Sequence, residues 1–432
     1  MSDAAAALAR AFLAGEWSEP DLVARGSEAV ALPRRDLRRL VRDVVSLYER
    51  PPRDRERELA EVVEVLLVRL RRRPRVERWF TFEPAMGRLR WPVPEIATPG
   101  ELADFLELSL GELQWLADAR GLERRVDHER LRHYRYDWFL RPRSVVRVIE
   151  RPKRRLKEVQ RRILRDILAP ISPHEAAHGF RGGRSVVTHA AAHTGRRVVI
   201  RLDLEAFFAS VEAARVYGIF RAAGYPESVA HALTALCTNV VPARVWAAIP
   251  RPADATLLAA HARLGARLAA PHLPQGAPTS PALANLAAFG VDARLTGLAE
   301  SLGATYTRYA DDLAFSGDDA LLGRAPLLRR VAASIVGDEG FRPNERKSQL
   351  TTRAGRQRLC GVVVNVRPNV ARREYDLLKA IVHDAARNGP AAANRACVRD
   401  FRAHLLGRIA WVAQLNPPRG RRLRERFEQI VW

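Results

Sequence analysis

The sequence predicts an α+β protein in which helical segments surround a few central strands. Three observations lead there. Residues 1 to about 95, and the last 60 or so, carry apolar residues at helical spacing. The run RRVVIRLDLEAFF (196–208) is apolar enough for a buried strand. The stretch TYTRYADDLAFSG (305–317) places apolar and aromatic runs on both sides of an aspartate pair, the pattern of a hairpin.

Taken in order, RRDLRRLVRDVVSLYER (34–50) places Leu40, Val41, Val44, Val45 and Leu47 at near-helical spacing, and RERELAEVVEVLLVRLRRR (55–73) repeats the pattern. The prolines of FEPAMGRLRWPVPEIATPGE (82–101) set a boundary near residue 95. A short helical unit follows, in which Ser109 and Glu112 have capping-box spacing. Residues 133–150 alternate as a strand pair. They lead into a basic amphipathic helix with Leu156, Val159, Ile163 and Ile167 on one face. Beyond the strand at 196–208, an Ala-rich stretch reaches LPQGAPTSPALANLAAFGVDARL (273–295), a loop running into a helix. After the hairpin come a helix from about 325 to 338, a turn over 337–350, a strand pair around QRLCGVVVNVRP (357–368) and a basic helical end. The expected domains are a helical extension over 1–95, a helical lead-in over 96–197, a sheet domain over 198–368 and a helical domain over 369–432.

The chain has 432 residues and a formal net charge of +23. Such an excess points to a polyanionic partner, nucleic acid before an anionic membrane surface. A compositional habit explains why most of the 72 basic residues are Arg, but not why base exceeds acid. No apolar run approaches the roughly 18 residues of a membrane span. The N-terminus lacks the basic start and apolar run of a signal peptide. Cys237, Cys360 and Cys397 are scattered without metal-ligand spacing, as expected of ordinary thiols in a reducing cytoplasm.

Asp311 and Asp312 stand side by side at the hairpin tip. A solvated turn would tolerate them. A third carboxylate, Asp203, closes the buried strand, where an unpaired charge is expensive. Three carboxylates from neighbouring strands could hold two Mg²⁺ ions about 3.5–4 Å apart, with Mn²⁺ as a substitute.

The segments RLDLEAFFASV, LPQGAPTSPALANLA, TRYADDLAFSG, GFRPNERKSQL and RLCGVVVN, in that order, resemble the palm motifs of reverse transcriptases, in particular the bacterial retron type. HGFRGGRS resembles a finger motif of the same group, and the likeness covers roughly residues 130–432. The resemblance implies a right-hand polymerase with fingers in 96–197, palm in 198–368 and thumb in 369–432. It implies that Asp203 and Asp311 ligate both metals and that Asp312 supports them. Tyr309 would pack against the primer end. Phe208, with Leu204 nearby, would fill the space of a ribose 2′-OH and so select deoxynucleoside triphosphates. Gln275 and Gly276 would border the nucleotide, Gly276 by letting the backbone come close. Lys347, one of only four lysines, would protonate the departing pyrophosphate. Arg141 and Arg147, with Arg143 as a rival, would hold the triphosphate. Arg181 and Arg184 would touch template or nucleotide.

Retron enzymes carry an Asn-Ala-x-x-His run before the first Asp and a Val-Thr-Gly after the Lys motif. Here HAAAH (189–193) keeps Ala190 and His193 but has His189 for Asn, and LCG (359–361) keeps only Gly361. Both segments would serve primer and template. The retron reading implies a structured non-coding RNA as partner, a branched RNA-linked single-stranded DNA as product, and anti-phage defence with a separate effector and no membrane. The readings left open are another defence-associated or group II intron-like reverse transcriptase, and a nucleic-acid-binding scaffold without activity.

Overall fold

A computed structural model describes residues 1–126, 128–140 and 144–432. It divides into two compact units, residues 1–172 with 211–283, and residues 173–210 with 284–432.

The first unit begins with four helices, Asp3–Leu13, Glu19–Ala29, Arg34–Leu47 and Glu56–Arg69. Ser2 and Ser18 cap the first two, each accepting a backbone N–H of the opening turn. Their apolar faces close one core around Leu8, Phe12, Leu37, Leu40, Val44, Leu59 and Val63. The expected boundary near 95 falls in the long connection before the helix Pro99–Phe105. Ser109 and Glu112 form the capping box their spacing predicts.

Strand β1 (Tyr134–Phe139) pairs antiparallel with β2 (Arg147–Pro152). The basic helix follows as Arg154–Arg162 and widens into a π-helical turn over Ile163–Leu168, with Leu156, Val159, Ile163 and Ile167 all buried. The expectation of a strand pair and then a basic helix therefore matches the structure.

The second unit is built on a four-stranded sheet. Strands β3 (Val198–Asp203), β4 (Thr305–Tyr309), β5 (Asp312–Gly317) and β6 (Gln349–Thr352) lie in the order β4-β5-β3-β6, all antiparallel. The central β3 and β5 are the apolar runs, as flanking on both sides requires. Strand β6 falls where a turn was expected. Gln349-Leu-Thr-Thr has no alternation that marks a strand, and pairing with β3 alone makes it one. The helix expected from about 325 starts earlier, as Asp319–Asp338, and keeps Pro326 inside it. Burial of Leu321, Ala325 and Leu328 outweighs the lost backbone donor.

Strands β7 (Arg358–Leu359) and β8 (Val362–Val363) form a small hairpin, and helices Arg372–Asn388, Phe401–Leu415 and Pro417–Phe427 pack on a core of Leu378, Val382, Leu405, Ile409, Val412 and Leu423.

Candidate active site

The register of the sheet builds the site. Strand β3 runs antiparallel to β5, so that Asp203 is the partner of Asp312 and Arg201 of Ala314. Tyr309 pairs with Asp312 across β4 and β5, leaving Ala310 and Asp311 as a two-residue turn. Asp311 is tied to the neighbouring strand through its carbonyl, which accepts the Leu204 N–H at 2.9 Å. Ala310 sits at φ 55°, a left-handed conformation that non-glycine residues seldom adopt. Phe180 (57°), Ala206 (50°) and Cys360 (45°) share that feature. Strained backbone of this kind gathers where side chains must be aimed.

The three carboxylates meet different partners. Asp203 lies in a partly buried position, and burial raises its pKa, with Asp311 and Asp312 adding to the effect and Lys347 opposing it. Lys347 Nζ is 2.9 Å from Asp203 Oδ1 and donates to Oδ2 at 3.2 Å. Lys347 is thus seated on a carboxylate by the segment 342–347, whose Asn344 N–H reaches the Asp203 carbonyl. Asp312 is gripped by Arg201, with Nε to Oδ1 at 3.2 Å and Nη2 to Oδ2 at 2.7 Å. The Cys360 thiol also donates to Asp312 Oδ2 at 3.4 Å. Nothing in the sequence motifs drew attention to Arg201 or Cys360. Burial pushes the Cys360 thiol pKa up, so it stays a neutral donor.

Hard carboxylate oxygens are the donors that Mg²⁺ or Mn²⁺ takes. Asp203 and Asp311 bring like charges together, enough to raise the Asp203 pKa further, and a divalent cation would compensate that repulsion. Asp312 is already neutralised by Arg201. Among the described residues no three His, Cys, Asp or Glu side chains gather as a ready-made metal centre.

Phe208 is half-buried at the head of a short 3₁₀ turn, while its neighbour Phe207 is in the core. The exposed Phe180 ring lies 6.2 Å from both Phe208 and Tyr309, centroid to centroid, so three aromatic rings line one stretch of surface. Phe180 was missed because Phe next to glycines reads as loop. Leu204 is 1% exposed. Its side chain is core, and only its backbone takes part.

His193 is fully buried, with Nδ1 2.7 Å from Ser316 Oγ and Nε2 2.8 Å from Thr307 Oγ1. Thr307 Oγ1 also meets His189 Nδ1 at 2.6 Å. The expectation that His193 touches primer or template is therefore corrected: it clamps β4 to β5 from behind. Burial lowers the pKa of His193 to about 3 and that of His189 to about 2. Gly361 (φ 92°) and Cys360 make a turn with two positive φ values between β7 and β8, the type that asks for glycine. Gly361 is a turn residue that delivers Cys360 to Asp312. Arg181 and Arg184 share Glu175, at 2.6 and 3.0 Å.

A buried ion pair supports the hairpin. Arg308 and Asp292 are both fully buried and bonded at 2.8 and 2.6 Å. Arg308 Nη1 donates onward to Asn285 Oδ1 and to the Ala310 carbonyl at 3.1 Å, which fixes the turn preceding Asp311.

The remaining candidates belong to the first unit. With its amide oxygen facing Arg147, Gln275 accepts from Arg147 Nε and Nη2, both at 2.9 Å. Its carbonyl accepts the Glu150 N–H of β2. Gly276 sits at φ 134°, and a Cβ there would lie 2.7 Å from the Glu150 carbonyl oxygen. The close approach that glycine allows in this structure is to the β2 backbone. Glu150 itself is buried against His272 and Asn239. Arg141 and its rival Arg143 lie outside the described residues.

A fold of this order with carboxylates at a strand end and a hairpin tip defines a template-directed nucleotidyl transferase. Residues 142–378 match the family model described as reverse transcriptase (RNA-dependent DNA polymerase), and the chain belongs to that family. Its relatives are retron enzymes. The chain is 39% identical over 395 residues to the retron Mx65 reverse transcriptase of Myxococcus xanthus, covering 91% of this chain and 85% of that one. It is 36% identical to the retron Mx162 reverse transcriptase of the same organism over 346 residues, 76% of this chain and 66% of the other. To the retron Ec86 reverse transcriptase of Escherichia coli it is 31% identical over 243 residues, 56% and 66%. The chain is a retron-type reverse transcriptase with the α+β fold of a right-hand polymerase, and an RNA-directed DNA polymerase. No described helix is long and apolar enough to cross a membrane.

Proposed function

We propose that this enzyme copies its own structured non-coding RNA into a single-stranded DNA that stays joined to the RNA through a 2′–5′ branch. It would act in the cytoplasm, in anti-phage defence with a separate effector. The supporting observation is the reach of the Myxococcus match: it covers 91% of the chain, well beyond the polymerase core at 142–378. Fingers, palm and thumb would occupy 96–197, 198–368 and 369–432.

Asp203 and Asp311 would hold two Mg²⁺ or Mn²⁺ ions, which activate the attacking hydroxyl and stabilise charge on the leaving pyrophosphate. The chain's own residues do the rest. The hydroxyl oxygen of the RNA or growing DNA attacks the α-phosphorus of a deoxynucleoside triphosphate, and its proton leaves to solvent water. The P–O bond to pyrophosphate breaks, and Lys347 supplies a proton to that leaving group. Asp312, held by Arg201, steadies the hairpin tip. Tyr309 packs the primer end, and the Phe208 ring occupies the space a 2′-OH would need. Arg147, oriented by Gln275, reaches the triphosphate. Arg181 and Arg184 lie against the template.

The test is to express the chain with its neighbouring non-coding region, purify the DNA, and treat it with RNase and a debranching enzyme. Branched DNA changes mobility on debranching. DNA that never responds, or that forms equally well without that RNA, would remove the retron product and leave a reverse transcriptase.

A further inference from the structure

Residues 1–95 hold 19 arginines and 16 acids, so this domain is almost neutral in sum. Its charge is nonetheless segregated. The segments 34–42 and 71–78 contain ten of those arginines and only Asp36 and Glu77 of the acids. The fold brings the two segments together. Val30 and Val76 bridge, the Ala31 N–H donates to the Arg75 carbonyl, and Arg72 reaches across to Asp36 at 2.9 Å. On the helix Arg34–Leu47, the face opposite the buried Leu37, Leu40, Val41 and Val44 carries Arg35, Arg38, Arg39 and Arg42, all exposed. Their i, i+3, i+4, i+7 spacing puts them on one stripe about 10 Å long at 1.5 Å per residue. None of the four makes an ion pair among the described residues, and Asp43 is the one exposed acid on that helix. The acids of the helix Glu56–Arg69 are used elsewhere: Glu56 on Arg10, Glu58 on Arg55, Glu61 on Arg57 and Glu64 on Ser2.

The same 95 residues contain no Asn, Gln, His or Lys. Asn and Gln are the side chains that read adenine edges. A surface of unpaired arginines suits phosphates, and the deep, narrow major groove of A-form RNA keeps such side chains from the guanine edges they could otherwise read. Duplex RNA is held in this way, through backbone and shape. The established activity supplies the ligand, since an RNA-directed polymerase holds its RNA before any DNA exists.

We propose that the N-terminal domain is a separate RNA-backbone-binding module, whose face of Arg35, Arg38, Arg39 and Arg42, flanked by Arg71, Arg73 and Arg75, grips a double-stranded segment of the RNA the enzyme copies. The inference rests on RNA-directed synthesis and not on the branched product.

The experiment uses the full chain with all four arginines changed to Gln, and a second variant with all four changed to Lys. Binding to a labelled RNA hairpin is titrated at several salt concentrations, with duplex DNA and single-stranded DNA as comparison probes. Primer extension is measured on a short pre-annealed template. The Gln variant should bind the RNA hairpin at least about tenfold more weakly at low salt, and its log–log salt slope should drop by about one per lost phosphate contact. The Lys variant should keep most of both, and extension on the short template should match the wild type in each. Unchanged RNA affinity and slope in the Gln variant would overturn the proposal and leave this face to a protein partner. A larger loss for single-stranded DNA than for RNA would overturn the choice of RNA. A folded Gln variant whose short-template extension falls in step with its binding would overturn the separateness of the module.

Discussion

Residues 1–67 close their core with Ala, Leu, Val and Phe, and among the described residues no polar side chain of this domain is buried. The sheet of the second unit is built differently. Arg308, Asp292, Asn285, Thr307, Ser316, His189 and His193 are all buried around it, and each has a partner there. An apolar core is held by area and tolerates small shifts. A buried polar network tolerates few, because each displaced donor or acceptor is left unsatisfied at a cost of about 1–3 kcal/mol. The N-terminal domain needs only to exist and present its surface, whereas the sheet must hold Asp203 and Asp311 in one arrangement. The contrast teaches that charge buried here serves position more than stability.

The largest expected effect separates chemistry from folding. Asp311→Asn should lower primer extension by roughly a hundredfold to a thousandfold, since about 3–4 kcal/mol of transition-state stabilisation is lost with the carboxylate. Its melting temperature should stay level or rise, because Asp311 adds to the repulsion that raises the Asp203 pKa. Wild-type extension rates would refute the assignment of Asp311.

Next comes the buried pair. Arg308→Met should cost about 3–5 kcal/mol in chemical denaturation by leaving Asp292 uncompensated. Adding Asp292→Leu should recover most of that stability. Extension should stay depressed in the double variant, because the Ala310 carbonyl has lost its donor. Recovery of both properties together would mean that the pair positions nothing.

The matching change in the apolar core is Leu40→Ala, expected to cost about 2–4 kcal/mol. Extension on a short primed template should be unchanged at temperatures where the variant is folded. A fall in turnover there would break the contrast between the two interiors.

The smallest effect is a pH dependence. His193 and His189 are neutral in the folded protein, with pKa values lowered by burial to about 3 and about 2, while an unfolded histidine titrates near 6.5. The unfolded chain therefore binds more protons below that value. Stability is fully present above about pH 6.5 and is lost as pH falls toward the folded values. Each histidine should account for up to about 2 kcal/mol between pH 7.5 and 5. Urea titrations of His193→Gln at the two pH values should show a smaller drop than wild type. Equal drops would place the acid sensitivity elsewhere.

Much of this site was legible in the chain. Continuous apolar runs marked β3 and β5, since a strand flanked on both sides shows no alternation. The hairpin at 305–317 was legible too, because its aspartate pair stands between two apolar runs. What escaped notice was short or polar, such as β6, or depended on contacts far apart in sequence. Lys347 stood out by its rarity. That it sits on Asp203, 144 residues away, did not.

The sequence by itself determined which residues carry charge, where the two central strands and the Ser109–Glu112 capping box lie, and that the chain's excess of base over acid suits a polyanion. Those properties are local or additive. Only the tertiary structure decided what each charge faces. Arg201 holds Asp312 because β3 and β5 run antiparallel with Asp203 opposite Asp312, which places Arg201 diagonally across on the same face. A slip of one residue would turn it to the other side. Gly276 lies against the Glu150 carbonyl because β2 passes beside it. The arginines of 34–42 and 71–78 make one surface only because Val30 and Val76 bridge. Periodicity reports the face a residue takes on its own element. Register and packing select the partner, because they fix distances between segments that the order of residues leaves free.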